Sequence, residues 1–200
     1  MHKNFMERSM SIEANNCPHW KWEKAVPKEV CEALIKEINL DGLEKGQIYR
    51  AEESGNLDTK IRNNRMTFMK FNHWFEGIMW NHIRYANASM KLNYFLSGCQ
   101  PLQFSSYDPD EFYNWHTDSN FFNSVDGVTR KLSAVCLLSD KDSFSGGELK
   151  LRADGIETEN MLTEQGDLVV FPSAIEHKAF PVIKGTRYSA VLWAVGPPFV

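Results

Sequence analysis

Apolar residues in the first half of the chain recur at helical spacing, whereas in the second half they gather into short runs cut by turn residues. A polar, irregular arm ends near Trp20 to Trp22. Pro27 then opens a helix, because Val30, Leu34, Ile35 and Ile38 fall on one face and Asp41-Gly42 stops the pattern. The polar stretch from Glu52 to Asn64 reads as loop, with a short strand after it at Met66 to Phe71. Asn72 is placed as the N-cap of a second helix that buries Phe75, Met79, His82, Ile83 and Ala86. From Lys91 onward the runs have strand length: Leu92–Leu96, Leu102–Tyr107, Leu132–Leu138, Glu148–Leu151, Asp167–Phe171 and Arg187–Ala194. Ser97-Gly98, Asp108-Pro109, Asp126-Gly127, Gly146-Gly147, Asp154-Gly155 and Pro197-Pro198 punctuate them.

Helices first and many short strands afterwards predict a mainly β fold, a barrel or double-sheet jelly roll buttressed by N-terminal helices. The expected organisation is one domain over 1–200, with 1–90 as arm and supporting helices and 91–200 as the strand-built core. A length of 200 residues suffices for one substantial core. Net charge changes the picture of partners: at −4 there is no basic excess of the kind that phosphate binding requires, so a nucleic-acid partner is not expected. The substrate class left is a peptide, a protein side chain or a small metabolite. No run of about 18 apolar residues is present, and the first twenty residues are broken by Lys3, Glu7, Arg8 and Glu13, so neither a membrane span nor a secretory signal is expected. Cys17, Cys31, Cys99 and Cys136 are scattered and form no CxxC pair, which reads as reduced thiols of a cytoplasmic protein.

The candidate chemistry starts at His116 and Asp118. Residues two apart in an extended segment point to the same side, so this imidazole and this carboxylate can face one ion. A lone HxD is common by chance, and a third ligand has to come from elsewhere. His177 supplies it, just past the apolar strand ending at Phe171 and a Pro172-Ser173 corner. Two histidines and one carboxylate on one face of a metal leave the opposite positions open, the arrangement of non-haem iron(II) oxygenases. Arg187 stands in an apolar strand, where a buried charge needs a partner. It shares a face with Ser189 and Val191, and a guanidinium with a hydroxyl two residues on can hold a carboxylate by a forked contact. An internal ion pair to Asp167 or Glu148 is the competing account of that arginine.

From about Gln103 to Pro197 the chain resembles the prolyl-4-hydroxylase-like branch of the iron(II)/2-oxoglutarate dioxygenases, including the bacterial PKHD-type hydroxylases. The residues that carry the likeness run in order. They are Tyr107 and Tyr113 before the His116-x-Asp118 pair, Arg130-Lys131-Leu132-Ser133 opening a strand, and Gly146-Gly147-Glu148-Leu149 after a polar loop. Gly166-Asp167 then leads into Phe171-Pro172-Ser173, and His177 and Arg187 close the series. The N-terminal hundred residues resemble the family only loosely. The resemblance implies a double-stranded β-helix (cupin-like) with Fe(II) held by His116, Asp118 and His177. It implies 2-oxoglutarate as co-substrate, its distal carboxylate on Arg187 with Tyr107 and Ser189 beside it, and O2 as second co-substrate. Hydroxylation of an amino-acid side chain would be coupled to release of succinate and CO2, a prolyl residue being the first guess and L-ascorbic acid an accessory reductant. A cupin-like metal-binding or sensing module without turnover needs only the three ligands and is the alternative.

The remaining residues are read more plainly. His2, His19, His73 and His82 are taken as surface or satisfied core residues. Trp74, Phe75 and Trp80 are taken as helix–sheet packing, and Lys60, Arg62, Arg65 and Lys70 as a solvated edge or a lip for an acidic substrate. Trp115, Asn120, Phe121 and Phe122 flank the metal pair and either line the substrate mouth or anchor a loop.

Overall fold

The computed structural model describes residues 17–50, 53–56, 58–119 and 127–198. His2, most of the arm before Trp20, and Asn120, Phe121 and Phe122 lie outside them. No helix among the described residues is long and apolar enough to cross a membrane, and all four cysteines are free.

Two helices form where the apolar periodicity placed them. Helix α1 spans Lys28–Glu37, with Pro27 as its N-cap, Glu29 in the first turn and Lys36 in the last. That charge order suits the helix dipole. Helix α2 spans Trp74–Ser89 and buries Phe75, Met79, Ile83 and Ala86, while His82 is half-buried. Its N-cap is His73 rather than Asn72: the His73 ring Nδ1 accepts from the Phe75 amide at 3.3 Å. Asn72 instead takes the left-handed backbone (φ 61) that turns the chain into the helix. Trp74 packs less than expected, being 42% exposed, with its indole N–H donated to Glu37 at 2.8 Å.

The larger sheet is antiparallel and runs Trp20–Trp22, Leu168–Pro172, Thr129–Leu137, Arg187–Gly196, Gln103–Tyr107, Arg65–Phe68, Glu44–Lys45. Gly98–Cys99 also pairs with Arg187–Gly196. One face is covered by the helices, where Leu102, Phe104, Ala134, Cys136, Val170, Ala190 and Leu192 join the side chains of α1 and α2 in the main core. Each such large side chain, fully buried, contributes roughly 1.5–3 kcal/mol. The other face looks onto a second antiparallel sheet, ordered Ile156–Glu157, Leu149–Ala153, Glu176–Ala179, Phe112–His116, Arg62–Asn63. Val135, Leu137, Val169 and Phe171 meet Leu149 and Leu151 between the sheets. The result is the expected double-stranded β-helix with helices on one side.

Leu92–Leu96 is not a strand. Lys91 and Asn93 have φ of 56° and 51°, and the Asn87 side chain bonds both the amide and the carbonyl of Tyr94. The segment is therefore a helix-terminal loop, with Leu92, Tyr94 and Leu96 packed against the main core. The Trp20–Trp22 end of the arm is a strand, paired along Leu168–Val170. Lys60 and Lys70 of the basic cluster are exposed, whereas Arg62 and Arg65 depart from a solvated edge. Arg65 pairs with Asp108, and Arg62 is buried, donating to Asn64 Oδ1 at 2.7 Å and to the Gln47 carbonyl at 3.0 Å.

Candidate metal centre and carboxylate pocket

The second sheet carries the histidines. His116 ends the Phe112–His116 strand and faces His177 directly across the ladder from Glu176–Ala179. Asp118 follows two residues later, and the Asp118 and Ser119 amides both donate to the Ser173 carbonyl, at 2.9 and 3.0 Å. One ligand atom from each of His116, Asp118 and His177 can be chosen so that all lie within 4.8 Å of one another. These three residues, expected from spacing to share an ion, are thus brought together.

Their hydrogen bonds decide which atoms point inward. His116 Nδ1 lies 2.7 Å from the Asn114 carbonyl and His177 Nδ1 lies 3.1 Å from the Ile175 carbonyl. A carbonyl only accepts, so Nδ1 carries hydrogen in both rings, which turns each Nε2 toward the centre. Asp118 Oδ2 is 3.3 Å from His177 Nε2 and Oδ1 is 3.7 Å from His116 Nε2. Burial, reinforced by the nearby His177 charge, pushes the His116 imidazole down to about 3. Burial also opposes charge on Asp118 and His177, yet each stabilises the other's ionised form. The carboxyl is held well below its usual range and the His177 imidazole is raised. A divalent cation here would take the place of the His177 proton as the carboxylate's partner.

Packing holds the rings. Tyr113 stacks on His116 with centroids 3.4 Å apart and planes at 11°, and the Arg62 guanidinium lies 4.7 Å from the Tyr113 centroid. Phe171 tilts against His177 at 4.8 Å. Arg130 lies over Trp193 at 3.8 Å, donates to Gln100 at 2.8 Å and approaches the Asp118 carbonyl at 3.5 Å. Trp115 faces the other way, edge-on to Phe180 and under Arg152.

The inner face of the larger sheet extends from this centre. Cross-strand partners Ser133 and Trp193, then Val135 and Val191, then Leu137 and Ser189 lead along it to Arg187, which pairs with Tyr107. Arg187 is 2% exposed. Its one hydrogen bond to a described residue is to Ser189 Oγ at 3.2 Å. Neither Asp167 nor Glu148 forms an ion pair with it among the described residues; Asp167 instead accepts from the amides of Lys24, Thr163 and Glu164. Burial pulls the guanidinium pKa down, outweighing the opposing influence of Tyr107 and of the Glu148 charge. Gly147 makes room for it, since a Cβ there would stand 2.7 Å from Arg187 Cδ. Tyr107 is buried, and its hydroxyl makes no hydrogen bond to a described residue, with burial raising its pKa.

Sequence reasoning put Arg62 in a basic edge or lip and Ser133 and Ser173 in the series that carries the likeness, with no individual part in the site for any of the three. The detectable signal was polarity at an inward strand position, as in Ser133 between Leu132 and Ala134. Arg62 is buried beside Tyr113, and its Nη2 has no hydrogen-bond partner among the described residues.

The comparisons with known proteins agree with this geometry. Residues 102–195 match the model of the 2OG-Fe(II) oxygenase superfamily. A PKHD-type hydroxylase of Synechococcus sp. (strain CC9605) is 41% identical over 83 residues, 42% of this chain and 36% of that protein. A PKHD-type hydroxylase of Shewanella baltica (strain OS185) is 31% identical over 113 residues, 56% of this chain and 48% of that protein. The chain spans half or less of the length of these curated relatives. Among solved structures, a Pseudomonas putida prolyl-4-hydroxylase superposes with a TM-score of 0.65 at 23% identity, covering 90% of this chain and 92% of that one. A viral collagen prolyl hydroxylase of Paramecium Bursaria Chlorella virus-1, in its 2OG complex, gives 0.67 at 17% identity, covering 90% and 97%. At those identities the structures establish a shared fold.

Proposed function

We propose that the chain, whose residues 102–195 match the model of the 2OG-Fe(II) oxygenase superfamily, is an iron(II)- and 2-oxoglutarate-dependent dioxygenase hydroxylating an amino-acid side chain, with a prolyl residue as the substrate to test first. The observation that carries the reading is the guanidinium of Arg187, buried with no ion pair among the described residues on the same inner face that leads to the His116, Asp118 and His177 cluster. A metal-binding module without turnover leaves that buried cation unexplained.

The donor set suits iron(II), since two imidazoles and one carboxylate occupy one side of an ion and leave room for a bidentate keto acid and for O2. When bound, the iron and keto acid supply the oxidising chemistry, consuming O2 and 2-oxoglutarate and giving hydroxylated product, succinate and CO2. The protein's residues supply placement. Arg187 and Ser189 would hold the distal carboxylate, with Tyr107 as a third donor, at the end of the inner face that runs past Val135 and Val191 to the three ligands. Val135, Phe171 and Val191 line the sheet faces and exclude water. The prolyl choice rests on the names of the fold relatives, a prolyl-4-hydroxylase and a collagen prolyl hydroxylase.

The test is anaerobic addition of iron(II) and then 2-oxoglutarate, followed by aerobic incubation with proline-containing peptides, ascorbate being present as reductant. A visible metal-to-ligand band and a product heavier by one oxygen atom, matched by succinate, are expected. Absence of both band and succinate across peptide, protein and small-molecule substrates would reject the proposal.

Tyr107→Phe tests the carboxylate pocket separately. Loss of one hydrogen bond to a charged group costs about 1.5–3 kcal/mol, so 2-oxoglutarate binding should weaken roughly tenfold to hundredfold. Iron affinity should stay near that of the parent protein. Normal 2-oxoglutarate binding with a lowered melting temperature would instead make Tyr107 a packing residue.

A further inference from the structure

We propose that Ser133 and Ser173 are positioning residues, a two-hydroxyl clamp through which the larger sheet sets the orientation of the Asp118 carboxylate and thereby the affinity of the metal centre. The inference rests on the reading of His116, Asp118 and His177 as metal ligands. It extends that reading to Ser133 of the larger sheet and to Ser173 in the turn that follows Leu168–Pro172.

Asp118 lies beyond the end of the Phe112–His116 strand, so no ladder of its own sheet holds it. A carboxylate rotates about its Cβ–Cγ bond, and a ligand free to rotate loses affinity to the entropy of being fixed. The restraint comes from across the barrel. Ser133 Oγ donates to Asp118 Oδ2 at 2.7 Å, and the two serine hydroxyls are 2.9 Å apart. Because the Ser133 hydrogen goes to the carboxylate, Ser133 accepts from Ser173, and the donors form a directed chain from Ser173 through Ser133 to Asp118. The Ser173 carbonyl meanwhile takes the Asp118 and Ser119 amides, and the Ser173 amide donates to the Lys131 carbonyl at 3.0 Å. Backbone and side chain of one ligand are thus both fastened to the larger sheet.

Packing alone does not explain two serines here. Both are 0% exposed, and Ser133 has Phe171 and Trp193 as its cross-strand partners. A hydroxyl buried among such groups costs free energy unless it is hydrogen-bonded, and an alanine would fill the same space without that demand. The hydrogen bonds these hydroxyls make lead to Asp118. His116 and His177 have carbonyls on their own strands or loops to fix their rings, as Asn114 and Ile175 do. Asp118 is the one ligand of the three whose orientation is set by side chains of the other sheet.

The experiment compares the full chain with Ser133→Ala, Ser133→Thr and Ser173→Ala in titrations with cobalt(II), read by visible absorption without turnover. Thermal melting of the metal-free proteins runs alongside. Losing a partner that orients a metal ligand typically lowers affinity about 10–100-fold, so Ser133→Ala should weaken cobalt binding by that range and alter the ligand-field bands. Ser133→Thr, which keeps the hydroxyl, should restore affinity to within about threefold and recover the parental spectrum. Ser173→Ala should fall between. Parental affinity and spectrum in Ser133→Ala would overturn the proposal, as would an equal loss in Ser133→Thr, which would mark a volume effect. Should Ser133→Ala fail to fold, Ser173→Ala decides by the same spectral criterion. Failure of the parent protein to bind cobalt would count against the three-ligand reading itself and would be seen before any variant is compared.

Discussion

Arg187→Met is expected to abolish useful 2-oxoglutarate binding while leaving the metal-free fold as stable as before or more so. The two effects have opposite signs for one reason: the guanidinium is buried with no ion pair among the described residues and gains a directly bonded counter-charge with the co-substrate. Removing one member of a buried charge pair costs about 3–5 kcal/mol, a loss of roughly a hundredfold to a few thousandfold in 2-oxoglutarate affinity. The metal-free protein escapes that cost. Replacing a buried charge with an apolar side chain of similar volume is often neutral or stabilising by about 1–4 kcal/mol. Melting of the metal-free variant by calorimetry and anaerobic 2-oxoglutarate titration of its iron form are the two measurements. Normal 2-oxoglutarate binding would show that the carboxylate is held elsewhere and would favour a metal module without turnover. A sharply lowered melting temperature would show that Arg187 is paired within the protein.

Asp118→Ala is expected to eliminate tight iron binding and with it all 2-oxoglutarate-coupled product. The carboxylate is the sole anion of the three-residue cluster, and without it two imidazoles face a cation with no charge compensation. His116→Ala and His177→Ala should each do the same by leaving two ligands. Metal content after anaerobic reconstitution, with equilibrium dialysis against iron(II), checks all three. Retention of full affinity by any one of them would remove that residue from the ligand set. Asp118→Ala carries a second expectation. The raised pKa of His177 depends on the Asp118 charge, so in the metal-free variant the imidazole should titrate lower than in the parent. Nuclear magnetic resonance of the His177 ring protons reads that shift without any metal present.

The sequence by itself determined the elements whose signal is local and repeated. Helical spacing placed α1 and the buried face of α2, because a face of several apolar residues is written in any one stretch of chain. The long strands Thr129–Leu137 and Arg187–Gly196 were legible for the same reason, and alternation put Arg187 and Ser189 on one face, where the structure has them. The ordered series from Tyr107 to Arg187 was enough to select His116, Asp118 and His177. Strands such as Arg62–Asn63 and Glu176–Ala179 were not legible, since two to four residues carry almost no period and pairing with a distant neighbour makes them strands. Tertiary structure alone decided partnership. Arg62 reads as solvated in a run of polar residues, yet its pairing beside Tyr113 buries it. Asp167 and Glu148 were available to Arg187 by chemistry, and only the folded positions leave that guanidinium with no direct ion pair to either. Ser133 and Ser173 stand forty residues apart, and their grip on Asp118 exists only because two sheets close over each other. Periodicity tells a residue which way to face; closure of the barrel tells it what it will meet.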